Sequence, residues 1–124
     1  MPAMKYFQPR EFQCQCLKCG LGFEQMQPDL IERLEMARML ANTPFKLVSA
    51  IRCEKRNNAV GGVNGSAHVT GWAVDIEAKS AVQRYRVLYG LIKAGFHRIG
   101  IYQGFIHVDL DPSKPPNVAF IGQY

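Results

Sequence analysis

Apolar residues recur at helical spacing in two stretches of this chain, and elsewhere the pattern shortens to runs of a few β-prone residues; few architectures accommodate that mixture. Over residues 28–42, Leu30, Ile31, Leu34, Ala37, Leu40 and Ala41 fall at helical spacing, and Thr43-Pro44 supplies a stop. A second helix is predicted from Ser80, where Ser80 and Gln83 make a capping-box pattern, through Val82, Tyr85, Leu88 and Ile92 to Gly95, despite the poor helix former Gly90 inside it. The β-prone runs are residues 45–50, 72–77, 98–102 and 105–110. Gln103-Gly104 between the last two reads as a tight hairpin in which Gly104 takes a positive φ. Helices beside antiparallel hairpins predict an α+β fold, a small antiparallel sheet flanked by helices. Residues 57–66, with Gly61, Gly62 and Gly65, read as a loop, as does the proline-rich segment before residues 118–121. Trp72, Tyr85 and Tyr89 are expected to pack in the core.

A chain of 124 residues that is 48% hydrophobic and 20% charged can bury a core without staples. No repeat or linker divides it, so one domain over residues 1–124 is expected. The net charge of +5 favours encounter with polyanions, but the Lys and Arg residues are scattered and not blocked, so no nucleic-acid partner is expected. No apolar run approaches the ~18 residues of a membrane span. Met1-Pro2-Ala3-Met4-Lys5-Tyr6 leads into polar residues instead of an apolar leader, so synthesis in the cytoplasm without a signal peptide is expected. Cys14, Cys16 and Cys19 cluster while Cys53 stands alone, which admits three readings. They are a four-thiolate structural zinc site, reduced and partly buried thiols, or disulfides, the last disfavoured without an export signal.

Histidine occurs only at positions 68, 97 and 107. Alternation along residues 72–76 sets Trp72, Val74 and Ile76 on one side and Ala73 and Asp75 on the other. With Gly71 allowing a bend, His68 and Asp75 can converge. On the last run Phe105, His107 and Asp109 share a face, opposite Ile106, Val108 and Leu110. Two imidazoles and a carboxylate would leave the fourth position of a tetrahedral zinc open, the arrangement of catalytic sites. Spacing alone leaves structural roles open for all three residues.

Residues 66–76, Ser-Ala-His-Val-Thr-Gly-Trp-Ala-Val-Asp-Ile, resemble the Ser-x-His-x-x-Gly-x-Ala-x-Asp segment of the D-Ala-D-Ala carboxypeptidase family, the M15 metallopeptidases. Ala50-Ile51-Arg52-Cys53, Asn57, Val60-Gly61-Gly62, Gly100-Ile101-Tyr102 and Phe105-Ile106-His107-Val108-Asp109 extend the likeness to its short phage-type branch, in the family's order. The resemblance implies a zinc held by His68, Asp75 and His107, the scaffold shared by these peptidases and the hedgehog signalling domain, and hydrolysis of an amide bond in peptidoglycan peptides. That activity would be D,D-carboxypeptidase or L,D- or D,D-endopeptidase action. Arg52 matches the family's arginine near the metal, suited to polarise the scissile carbonyl, stabilise the oxyanion or pair with a substrate carboxylate. Where many relatives carry an acidic residue or second histidine before the last metal-binding histidine, this chain has Tyr102, Gln103, Gly104 and Phe105. Asp109 is the local substitute, either as proton carrier or as the group that orients His107. His97 reads as a surface or turn residue and Ser66 as a loop-fixing one. The missing base leaves a second class open, a non-catalytic zinc domain that binds cell wall or a protein partner. For the enzyme, the expected setting is a monomer acting at the cell wall, as a phage lysin or a tail-associated, virion-borne protein.

Overall fold

The computed structural model describes residues 4–122; the Met1-Pro2-Ala3 start of the expected leaderless terminus lies outside them. Helix α1 spans Pro28–Ala41 with Pro28 at its first turn, where a missing N–H costs nothing, and Asn42 closes it in the left-handed conformation. Strand β1 (Leu47–Ser49) leads into a short helix α2 (Glu54–Ala59) and strand β2 (Ala73–Glu77). Helix α3 covers Ala81–Lys93, capped by the Ser80 hydroxyl accepting from Gln83 N–H. It ends in paired reverse bonds, Gly95 N–H to Ile92 and Phe96 N–H to Leu91, with Gly95 at φ +92°. Strands β3 (Arg98–Ile101), β4 (Phe105–Asp109) and β5 (Val118–Ile121) complete the chain.

The five strands form one sheet in the order β1-β2-β4-β3-β5. β1 with β2, β2 with β4 and β4 with β3 are antiparallel, as predicted. β5, however, pairs parallel with β3, so the sheet is mixed. The reason is topological. A short connection turns β5 against the direction of β4, but both edges of β4 are taken, and the next edge belongs to β3, which also runs against β4. Val74 and Ile76 of β2 and Ile106 and Val108 of β4 pack into one core with Leu30, Ile31 and Leu34 of α1 and Val87 and Leu91 of α3.

Four local expectations need correction. Residues 54–59, partly read as loop, are helical; Asn57 is buried there, accepting from Arg52 and donating to the Val63 carbonyl, a polar anchor that leaves no apolar periodicity to detect. α3 buries Val87, Gly90 and Leu91, whereas Val82, Tyr85, Tyr89 and Ile92 are exposed. Both sets repeat at helical spacing. The inner one is chosen by Gly90, where a Cβ would lie 2.4 Å from the Ala37 carbonyl and 2.6 Å from Ala41 Cβ, so α1 and α3 approach closely along that face. Trp72 is half-buried beside a surface groove with Arg33 and Met36 instead of in the core. Gly104 stays outside the positive-φ region; the turn closes through Tyr102 N–H to the Phe105 carbonyl, and Gly104 gives its own carbonyl to Ala78 N–H.

Candidate metal centre

The site lies on the sheet face opposite the helices. Asp75 and His107 are direct register partners across β2 and β4, so their side chains leave the sheet on the same side, next to each other. Asp109 follows two residues on along the same face. His68 arrives from the loop before β2, where Gly71 at φ +79° makes the bend. A Cβ at Gly71 would lie 2.2 Å from the Gln25 carbonyl oxygen, so no larger residue fits. Ser66 Oγ accepts the His68 N–H at 3.2 Å and steadies that loop.

Asp75 Oδ1 lies 3.2 Å from His68 Nε2 and 3.0 Å from His107 Nδ1. A tetrahedral ion with bonds of about 2.0–2.1 Å separates its ligand atoms by about 3.3 Å, so the three donors stand close to the spacing an ion would impose. Their other nitrogens are committed. His68 Nδ1 sits 2.7 Å from the Ala50 carbonyl, which can only accept, so this nitrogen carries a hydrogen and Nε2, facing Asp75, is the atom that would offer its lone pair to an ion. His107 Nε2 lies 2.7 Å from Asp109 Oδ2, which likewise frees Nδ1 for a metal. His68, Asp75 and His107 thus form a group able to hold a metal ion. Zinc suits this donor set.

Charge in the cluster is balanced. Burial alone would raise the Asp75 pKa, but hydrogen bonds from His107 and His68 and their nearby charge hold it well below the usual carboxylate range. Burial would lower His107; hydrogen bonds to Asp109 and Asp75 and the charges of both raise it above 6.5 instead. Asp109, also opposed by burial, is lowered by His107, the Asp111 N–H and Arg98.

Arg52, 9% exposed, donates from Nε to Ser49 Oγ at 3.1 Å, from Nη1 to Asn57 Oδ1 at 3.2 Å and from Nη2 to Asp75 Oδ2 at 3.3 Å. Asp109, 1% exposed, accepts from Arg98 Nε at 2.8 Å and from the Asp111 N–H at 3.1 Å besides His107. All five residues singled out in the sequence, Arg52, His68, Asp75, His107 and Asp109, line one open cleft of about 350 Å³, together with Ser66, Arg98, Tyr102, Lys114 and Phe120. His97 is exposed and lies elsewhere, on the groove beside Trp72. Sequence reasoning missed Arg98, which ties Asp109 to the Pro115 carbonyl of the proline-rich loop at 2.6 Å. Its signal was present: in Arg98-Ile99-Gly100-Ile101 the isoleucines alternate inward, which puts Arg98 on the face of Gly100, the register partner of His107. The four cysteines gather outside the cleft, beside Lys18, Lys55 and Arg56.

Among the described residues no helix is long and apolar enough to cross a membrane. Comparison with curated proteins finds no match. The family model described as Peptidase M15 matches residues 5–109, a span that includes every residue of the His68, Asp75, His107, Arg52 and Asp109 cluster as well as all four cysteines. The chain therefore belongs to the M15 peptidase family, a family of zinc-dependent metallopeptidases.

Proposed function

We propose that this protein is a zinc peptidase that hydrolyses an amide bond in peptidoglycan peptides, with His68, Asp75 and His107 holding the ion. The observation that carries the reading is the pair of outer hydrogen bonds, His68 to Ala50 and His107 to Asp109, which leave Nε2 of His68 and Nδ1 of His107 facing an ionised Asp75 at the wall of an open cleft, where an ion would take their lone pairs. When bound there, zinc supplies Lewis-acid polarisation of a carbonyl and a nucleophile from water near neutral pH. The chain's own residues prepare that chemistry. Asp109, which accepts from His107, Arg98 and Asp111, orients His107 and is not the carrier of protons. Arg52 holds the outer oxygen of Asp75 with one donor and spends two others on Ser49 and Asn57; the remaining two of its five N–H groups serve a substrate carbonyl or carboxylate. Arg98 and Lys114 add positive charge to the same cleft, which favours a peptide bearing free carboxylates, as wall peptides do. The place of action is the cell wall.

One observation supports a different class. The carboxylates lining the cleft are Asp75 and Asp109, and both are engaged in holding other groups. A domain that binds zinc and a wall peptide without cutting it needs no further acid or base. Digestion of defined muropeptides by wild type and His68→Ala, with and without chelator, separates the two. Zinc-dependent release of a fragment supports the peptidase, and the fragment's mass names the bond as D,D or L,D and the action as carboxy- or endopeptidase. Hydrolysis that persists undiminished after the metal is stripped sinks the zinc mechanism. Bound zinc with intact substrate leaves the binding domain.

A further inference from the structure

A second metal-ligating cluster lies outside the cleft. The Sγ atoms of Cys14, Cys16, Cys19 and Cys53 all fall within 4.8 Å of one another, although Cys53 is 34 residues from the nearest of the other three in sequence. Cys14 to Cys53 and Cys53 to Cys16 are each 3.9 Å. Zinc–thiolate bonds of about 2.3 Å place the sulfurs of a tetrahedron about 3.8 Å apart, and the sulfurs stand near that spacing as free thiols.

Backbone geometry is arranged around sulfur. The N–H groups of Lys18 and Cys19 point at Cys16 Sγ (3.4 and 3.3 Å), Leu21 N–H at Cys19 Sγ (3.5 Å), Cys53 N–H at Cys14 Sγ (3.4 Å) and Arg56 N–H at Cys53 Sγ (3.4 Å). Each sulfur accepts at least one such bond, which favours thiolate over thiol. The turn that achieves this holds Leu17, a residue with a branched side chain exposed to solvent, at φ +61°. Lys18, Lys55 and Arg56 stand around the cluster, and offset the double negative charge that four thiolates leave on a divalent ion.

We infer that these four cysteines hold a second zinc ion in a closed structural site that fixes the run carrying Arg52, a residue of the cleft lining. Four protein donors leave no position for substrate, so the ion takes no part in hydrolysis. Its reach into the active region runs through residues 50–53. Ala50 gives its carbonyl to His68, Arg52 holds Asp75, and Cys53 is a zinc ligand. The ion ties this run to the segment carrying Cys14, Cys16 and Cys19, which also meets β1 through Gln15 Nε2 donating to the Val48 carbonyl. Arg52 is thereby a positioned residue, clamped at its own backbone neighbour.

The test uses His68→Ala, which removes the cleft site and leaves the thiols. Zinc analysis of protein purified without chelator is expected to give two ions per wild-type chain and one in His68→Ala. Cobalt in place of that remaining zinc should show thiolate-to-cobalt charge-transfer absorption and the d–d bands of a tetrahedral centre. A wild type with one ion, unchanged in His68→Ala and with the same thiolate bands, would support this site while removing the cleft ion. No ion in His68→Ala with four thiols alkylated in the native state, disulfides in the non-reduced mass spectrum, or iron in place of zinc would each overturn it. Cys53→Ser should weaken and shift the thiolate bands, since three sulfurs remain, and if it fails to fold the His68→Ala result stands alone. Stripping the ion from His68→Ala with a thiol-directed mercurial should speed amide exchange at residues 50–53; unchanged exchange there overturns the link to Arg52.

Discussion

His107 carries more of the site than any other side chain, because each of its ring nitrogens meets a carboxylate, Asp75 on one side and Asp109 on the other. Removing an outer partner of a metal-binding histidine weakens metal affinity by about 10–100-fold. Asp109→Ala is therefore expected to lose zinc affinity by about that factor, in competition titrations against a chromogenic chelator, with hydrolysis recovering as zinc is raised. Activity that stays lost at saturating zinc would instead make Asp109 the proton carrier. The same pair of contacts predicts how the metal-free protein responds to pH. A raised His107 pKa means stability that is complete below its ordinary 6.5 and fades as pH climbs through the raised value. Asp75 and Asp109 are depressed from 3.8, so their contribution is complete above that value and is lost as pH falls through the depressed ones. Thermal unfolding of chelator-treated protein across a pH series should show the alkaline fall, and protein reloaded with zinc should not, since the ion replaces the proton on Nδ1. At this scale the sequence was informative: Asp75, His107 and Asp109 could be placed on one face by alternation alone. The partner atoms could not, because which nitrogen of His107 meets which oxygen depends on strand register and side-chain torsion.

Elements were legible in existence more than in orientation. The ends of α1 and α3 follow from local chemistry, Pro28 and Asn42 for one and Ser80 and Gly95 for the other. The buried face of α3 did not, since Val82, Tyr85, Tyr89 and Ile92 repeat as regularly as Val87, Gly90, Leu91 and Ala94. Gly90 decides it by admitting the backbone of α1. An alanine in an unobstructed helix gains about 1 kcal/mol over glycine. Gly90→Ala is expected to do the reverse, costing about 1–3 kcal/mol in urea denaturation through overpacking against Ala37 and Ala41. Tyr85→Ser, on the exposed face at 69% exposure, should change stability by no more than about 0.5 kcal/mol. α2 escaped sequence reading for a related reason: the buried Asn57 is held by Arg52 and Val63, and polar anchoring has no period.

For the whole molecule, the sheet is both the core's wall and the site's platform. Val74, Ile76, Ile106 and Val108 face the helices while Asp75, His107 and Asp109 face the cleft, so the core and the proposed metal site share two strands. Zinc bound only by the folded state stabilises it by mass action. Chelation is expected to lower the unfolding temperature, with zinc restoring it, and His68→Ala should show a smaller drop on chelation than wild type. What the sequence by itself determined is whatever depends on neighbours along the chain: helix caps, strand alternation and the motif around His68 and Asp75. Tertiary structure alone decided what depends on chain segments far apart. The parallel pairing of β5 follows from which sheet edge was still open, the buried face of α3 from the approach of α1, and the Arg98–Asp109 bond from the register of β3 against β4. The meeting of Cys53 with Cys14, Cys16 and Cys19 belongs here too. A local pattern fixes which way a side chain points relative to its own backbone, and only the packed chain fixes what it points at.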